Sequence, residues 1–259
     1  MKYSGNSIGT VGQSLGMSMH PDGTKLYVTI HNGDYISQYA MSKAYDLTTA
    51  SFISNSLNIN QGGESSARGH FISPDGLKMY ICGSSTAKVL QYALATAWNV
   101  NTASYVSSFA SSAAPIDMAI SPDGIYMILR ETNSITRRYT LSTAWDVTTA
   151  VLSQTMTQAL SFTGLYFSTD GKRFFGTNTN TIHKYYLGTA WDLLTYSIME
   201  SLDITSLEVL SSSFDDVAFS SNGLFLYTSH YNGAMVKRME LKQPFFIKGK
   251  VYYQPQSQL

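Results

Sequence analysis

One phrase, returning five times along the chain, limits the architectures open to this sequence more than any other feature. Each copy is an apolar run that enters a short polar turn. The five read Met19-His20-Pro21-Asp22-Gly23, Ile72-Ser73-Pro74-Asp75-Gly76, Ile120-Ser121-Pro122-Asp123-Gly124, Phe167-Ser168-Thr169-Asp170-Gly171 and Phe219-Ser220-Ser221-Asn222-Gly223. Proline pre-sets φ, the Asp or Asn side chain bonds the following backbone, and glycine accepts positive φ, so each copy predicts a tight hairpin turn. A second strand follows each turn: Leu26-Tyr27-Val28, Met79-Tyr80-Ile81, Tyr126-Met127-Ile128, Phe174-Phe175 and Phe225-Leu226-Tyr227. After a polar loop, a third strand carries Gln38-Tyr39, Gln91-Tyr92, Arg138-Tyr139, Lys184-Tyr185 or, in the weakest copy, Arg238-Met239.

The words Ala44-Tyr45-Asp46, Ala97-Trp98-Asn99, Ala144-Trp145-Asp146 and Ala190-Trp191-Asp192 then lead into a fourth strand such as Ala103-Ser104-Tyr105-Val106. The turn Asp or Asn recurs at spacings of 53, 48, 47 and 52 residues, so insertions fall between units of nearly constant size. Four strands per unit and five units predict an all-β fold: a five-bladed β-propeller of four-stranded antiparallel blades over residues 1–241. An open array would leave unpaired strand edges. The run through Ile8 aligns with the fourth strands, so the N-terminal strand is expected to close the ring as the outer strand of the last blade.

Residues 242–259 differ in character. They carry Phe245, Phe246, Ile247, Tyr252 and Tyr253 ahead of a polar tail, and read either as a short strand pair on the propeller or as an assembly arm that adds to a neighbouring subunit.

Composition narrows the function classes. The 17 basic and 17 acidic residues cancel, which leaves no electrostatic footprint for nucleic acid or an anionic membrane. No stretch is long and apolar enough to span a bilayer, and the N-terminus lacks the apolar segment of an export signal, so a soluble chain is expected. The lone cysteine, Cys82, excludes an internal disulfide and reads as small core filler. Bulky rings packed between blades account for Trp98, Trp145 and Trp191. The Asp-Gly turns lack the dense carboxylate spacing of a calcium loop.

In a propeller the loops from second to third strands gather on one face. Here they supply His31, Asn32 and Asp34, then Arg130 and Glu131, then Asn178 and Asn180, and finally His230, Tyr231 and Asn232. Blades one and five become neighbours when the ring closes, so His31 and His230 form the best candidate pair. A catalytic arrangement would use one histidine as base beside Glu131 or Asp34, or hold a metal through both imidazoles. The plainer reading is a polar rim that binds a ligand or partner without metal or cofactor. Its amides, hydroxyls and tyrosine suit sugar hydroxyls and pyranose rings, which makes a surface glycan an expected ligand class, and the same composition also suits a wet protein interface. His70 reads either as a channel-lining or as a satisfied structural histidine. No nucleophile elbow, phosphate loop or His-x-x-x-His pair is present.

The Ser-Pro-Asp-Gly turn followed by a Tyr-containing strand resembles the YVTN and TolB-type propeller repeats over residues 16–241. The turn Ser121-Pro122-Asp123-Gly124 together with Leu141-Ser142-Thr143-Ala144-Trp145-Asp146-Val147 is similar, more specifically, to propeller repeats of tailed-bacteriophage structural proteins and of uncharacterised environmental bacterial proteins. That resemblance implies a non-enzymatic virion protein, in the tail or fibre for host attachment or, as a variant, in capsid decoration. Its partners would be other virion proteins reached through the C-terminal arm. The competing class is a hydrolase or lactonase-type propeller enzyme with its site on the loop face.

Overall fold

Twenty strands among the described residues fall into five antiparallel sheets of four. The computed structural model describes residues 2–31, 33–56, 59, 63–156, 162–178, 181–203 and 215–241. From channel to perimeter, blade one is β2 (Ser14–Met19), β3 (Lys25–Ile30), β4 (Tyr35–Met41) and β5 (Ala50–Asn55). Blade two is β6 (Ala67–Ile72), β7 (Lys78–Gly83), β8 (Lys88–Leu94) and β9 (Ala103–Ala110). Blade three is β10 (Pro115–Ile120), β11 (Tyr126–Glu131), β12 (Thr136–Leu141) and β13 (Ala150–Met156). Blade four is β14 (Leu165–Phe167), β15 (Arg173–Asn178), β16 (Thr181–Leu187) and β17 (Tyr196–Asp203). Blade five has β18 (Asp216–Phe219), β19 (Phe225–His230) and β20 (Met235–Glu240), and takes its outer strand from β1 (Lys2–Gly9) at the other end of the chain. The register runs from Lys2 opposite Glu240 to Gly9 opposite Met235, which closes the ring as the repeat alignment predicts.

The turn phrase forms as its residue types require. The five turn glycines hold φ between 64° and 77°, in the left-handed region. Four aromatic residues share that region at matched positions: Tyr45, Trp98, Trp145 and Trp191 have φ of 65°, 58°, 66° and 60°. Such a conformation is uncommon for a bulky residue and here has a local cause. Each aromatic N–H donates to the carbonyl of its blade's turn glycine at 2.8–3.0 Å, and the ring lies over that glycine, where any Cβ would collide with it. The next residue (Asp46, Asn99, Asp146 or Asp192) caps a single 3-10 turn by accepting from a backbone N–H two residues on.

The same phrase joins the blades. The Tyr27 hydroxyl donates to the Trp98 carbonyl at 2.8 Å, Tyr80 to that of Trp145 at 2.7 Å, and Tyr227 to that of Tyr45 at 2.9 Å. A bulge in each pairing of third with outer strand, between Gln38 and Tyr39 and between Gln91 and Tyr92, coincides with a glutamine aimed at the next blade. Gln38 and Gln91 accept from the N–H groups of Val100 and Val147.

Blade three departs from this scheme and compensates. Ile128 replaces the tyrosine, Arg138 donates to the Trp191 carbonyl at 2.9 Å, and Gln154 from β13 accepts from Leu193 N–H and donates to Asp192. The closing seam repeats that solution: Arg238 donates to the Tyr45 carbonyl at 2.6 Å, and Asn6 of β1, in register with Arg238, donates to Asp46 at 2.7 Å. Blade five has no Trp phrase, and blade four offers Phe175 where blades one, two and five have a tyrosine hydroxyl. Phe175 packs on Phe219 with ring centroids 4.7 Å apart. Buried aromatic and aliphatic side chains from adjoining blades fill each seam, and Cys82 is one of them, fully buried.

Candidate functional site

Five inner strands converging on one axis leave little room where they come closest. The residue six positions before each turn Asp or Asn stands at that waist: Gly16, Gly69, Asp117, Gly164 and Asp216. A Cβ on Gly69 would lie 2.6 Å from Asp117 Oδ1, one on Gly164 2.7 Å from Asp216 Cα, and one on Gly16 2.4 Å from the Arg68 carbonyl oxygen. Three glycines therefore make space for two carboxylates.

Both carboxylates are buried and tie blades together. Asp117 accepts from its neighbour Met118 N–H at 2.8 Å and from Leu165 N–H in blade four. Asp216 accepts from Val217 N–H at 2.7 Å and from Met17 N–H in blade one at 2.8 Å. These bonds favour the charged form, but burial opposes it and wins. Burial pushes the Asp117 carboxyl up to about 7, and burial together with the nearby Asp117 charge pushes Asp216 well above the carboxylate range.

Beside them, His70 is clamped between two hydroxyls, with Nε2 2.7 Å from Ser18 Oγ and Nδ1 2.8 Å from Thr29 Oγ1. Burial pushes its imidazole down to about 3, so at neutral pH it is an uncharged, satisfied ring. Both sequence readings of His70 hold, since it is structural and also lines the channel.

The waist divides the channel unequally. On the loop-face side lies a vestibule of about 10 Å³, bordered by Arg68, Thr163 and Asp215, with room for about one water. On the turn-face side the channel opens into a chamber of about 390 Å³. Met17, Met118, Leu165 and Val217 line it near the waist, and Phe71, Ile120, Tyr166, Phe167 and Phe219 line it further out. Its mouth is framed by one turn residue from each blade (Pro21, Pro74, Pro122, Thr169, Ser221) with Tyr45, Trp98 and Trp191 beside them. An apolar concavity with a few convergent polar groups and displaced pKa values has the character of a small-molecule site.

The loop-face candidates fare differently. His31 meets Tyr231 edge-on with ring centroids 5.4 Å apart, so the loops of blades one and five do lie side by side. His230 does not share that surface: it is fully buried, with Nε2 2.9 Å from Thr228 Oγ1. Arg130 and Glu131 are likewise corrections to the expected rim. Arg130 is buried, donates to the Phe162 and Glu131 carbonyls at 2.9 and 3.0 Å, and lies 4.8 Å from the centre of the Phe162 ring. Glu131 is fully buried in an ion pair with Arg137. The end of a second strand points inward to pack, and its charged residues find partners inside the blades.

Asp34 is half-buried at φ 51°, its carboxyl raised by burial and by the Glu64 charge. Asn178 is half-buried at the end of β15, and Asn232 is exposed. Asn32, Asn180 and the arm residues Phe245, Phe246, Ile247, Tyr252 and Tyr253 lie outside the described residues. Among the described residues no three His, Cys, Asp or Glu side chains gather to hold a metal ion.

Sequence reasoning passed over Asp117, Asp216 and Glu64. The signal for the first two was a break in the repeat, since three copies have glycine where two have aspartate. Glu64 is buried and clamps the β7–β8 loop, accepting from the N–H groups of Ser66, Ser85 and Thr86 at 2.8, 3.2 and 3.0 Å.

No protein-family model matches the sequence, and no curated protein matches it. Solved structures similar to this chain include the Cps50 (Swd1) β-propeller domain of Myceliophteria thermophila, at 10% identity and a TM-score of 0.48, covering 88% of this chain and 70% of that one. Another is a functionally unknown protein from Desulfotomaculum acetoxidans, at 15% identity and a TM-score of 0.47, covering 86% of this chain and 64% of that one.

Proposed function

We propose that this propeller is a non-catalytic binding and assembly module that engages its partners along its perimeter, and that it serves in a bacteriophage virion as a tail or fibre component for host attachment. The observation that carries the assembly reading is a belt of exposed apolar side chains. Blades diverge outward, so the outer strand has the least cover from its neighbours. Opposite the buried tyrosines of the third strands stand Phe52, Tyr105, Leu152 and Ile198, exposed by 47%, 36%, 47% and 59%. Ile53, Val106 and Met199 follow next along their strands, exposed by 47%, 53% and 50%. Single exposed apolar residues are ordinary, but pairs repeated on edge strands are an aggregation hazard unless something covers them.

The virion assignment rests on the likeness of the turn and Trp phrases to phage propeller repeats. The non-catalytic reading is supported by the engagement of Arg130, Glu131 and His230 inside the blades. An antibody to the propeller, followed by gold labelling of phage from a culture that carries the gene, tests the proposal. Label at the tail is expected. Label over the head would favour capsid decoration, and absence of both label and protein from purified particles would overturn the virion reading. The double substitution Phe52→Lys/Ile198→Lys is expected to block incorporation without changing the melting temperature; normal incorporation would remove the belt from the argument.

A further inference from the structure

We propose that the turn-face chamber is a binding site for a small organic monoamine, its apolar body held by the chamber wall and its protonated amino group hydrogen-bonded to Asp117 and Asp216. This site is separate from the perimeter belt. Its volume of about 390 Å³ falls at the lower end of the range of about 300–1,000 Å³ that small organic ligands occupy. The waist and the single-water vestibule beyond it block passage from the loop face, so the ligand enters between the turns and meets the two aspartates last.

The chemistry of the floor selects the head group. Each carboxylate has about four lone-pair sites. Backbone N–H groups occupy one on each oxygen of Asp117 and of Asp216, so once these groups are ionised they face the chamber with acceptors alone. An ammonium head supplies three donors and the opposite charge. An anionic head would be repelled, and an uncharged body alone would leave the acceptors without donors. A polyamine would carry its further charges into a wall of methionine, leucine and phenylalanine side chains, where desolvation opposes them. A metal ion lacks ligands: both His70 nitrogens are bonded to hydroxyls, and no group of three ligating side chains forms among the described residues.

Amine binding must also displace the proton that burial keeps on the floor, which couples affinity to pH. The groups facing that floor are Asp117, Asp216, His70, Cys82, Arg68 and Asp215. His70, held down to about 3, stays neutral between pH 5.5 and 8, and burial keeps Cys82 a thiol. Asp117, near 7, changes state there, while burial and the Asp117 charge raise Asp216 well above the carboxylate range and burial raises Asp215. His20 at the mouth is paired with Asp22 at 2.6 Å.

Methionines make the test local. Met17, Met19 and Met118 line the chamber, Met127 is buried in a seam between blades, and Met199 sits in the exposed belt. The full chain, labelled with 13C at its methionine methyl groups, is titrated by NMR with 2-phenylethylamine, 2-phenylethanol and 3-phenylpropanoate at pH 5.5 and 8. An alkylamine, titrating near about 10 like lysine, stays protonated at both. The expected result is that the amine shifts Met17, Met19 and Met118 while Met127 and Met199 stay still, with affinity at pH 8 about tenfold above that of the alcohol and about tenfold above its own at pH 5.5. The alcohol should be indifferent to pH, and the carboxylate should not bind at pH 8, where the floor carries negative charge. Equal affinity for amine and alcohol would overturn the head-group assignment. Met199 moving in step with Met118 would mean surface adsorption, and no shift at any chamber methionine would end the proposal.

Discussion

The two faces of this ring are built on different plans. On the turn face the same few interactions recur from blade to blade: a glycine turn, a left-handed aromatic lying over it, a capped 3-10 turn, and a donor from the preceding blade to the aromatic carbonyl. On the loop face the contacts among the described residues differ from blade to blade, as with Glu64 in blade two, Arg130 between blades three and four, and His31 against Tyr231 across the closing seam. Repetition usually suggests scaffold and irregularity suggests function. Here the chamber opens on the repetitive face, and the turns frame its mouth. A repeat specifies a seam and, by fivefold arrangement around an axis, a chamber as well.

That contrast can be broken in several ways. The largest effect is expected from removing residues 1–10, which strips β1 from blade five, uncovers the edge of β20 and deletes Asn6 from the closing seam. Calorimetry and light scattering should show loss of the cooperative transition or early aggregation; an unchanged melting temperature would mean that the ring does not depend on this closure. Next comes Trp145→Ala on the turn face. It removes a ring stacked on Phe71 at 6.3 Å and packed against Tyr80, and should cost about 2–4 kcal/mol in a urea melt. At the waist, Gly69→Ala sets a methyl group against the Asp117 carboxylate and should cost about 1–3 kcal/mol.

Stability should also depend on pH. For Asp117 and Asp216 the folded state holds protons that the unfolded state has released, so both make stability fall as pH rises from about 4. Asp117 stops contributing at about 7, and burial with the Asp117 charge raises Asp216 well above the carboxylate range. His70 acts oppositely: its folded form refuses a proton that the unfolded chain accepts below about 6.5, which raises stability as pH climbs from about 3 to that point. Below pH 6.5 the histidine offsets one aspartate. Above it only the aspartates remain, so unfolding free energy should fall between pH 6.5 and 8. A flat profile there would show that the waist carboxylates are already ionised in the fold. The smallest effect is expected on the loop face, where His31→Ala loses an edge contact with Tyr231 and the charge interactions with Asp34 and Asp215, and should stay within about 0.5 kcal/mol. A large loss would make that face as integral to the ring as the turn face.

Much of the fold could be read in advance because propeller blades obey local rules. Proline, Asp and Gly fix the turn, and alternation of aromatic and β-branched residues fixes the strands. The Trp-Asp phrase marked a corner even though its left-handed backbone and its glycine contact were not legible. The site was harder to read. The histidines were chosen because they fell in loops, but His230 ends a strand, and strand residues alternate in direction, so its ring turns inward to Thr228. Arg130 and Glu131 have the same cause. Asp117 and Asp216 drew no notice because an aspartate inside an apolar strand looks like a lapse in pattern until the strands are placed around an axis.

What the sequence determined by itself is therefore periodic: five blades, their turns, their corners and the closing role of the first strand, all consequences of interactions between residues close in the chain or at a fixed offset between repeats. What only the tertiary structure decided is radial. Five residues drawn from positions as far apart as Gly16 and Asp216 meet at a waist too narrow for five side chains, which is why three are glycine and two are carboxylates whose charge the surrounding burial suppresses. The distance of each residue from a common axis has no counterpart along the chain, and that distance separates a chamber with an acidic floor from a rim whose charged residues are buried.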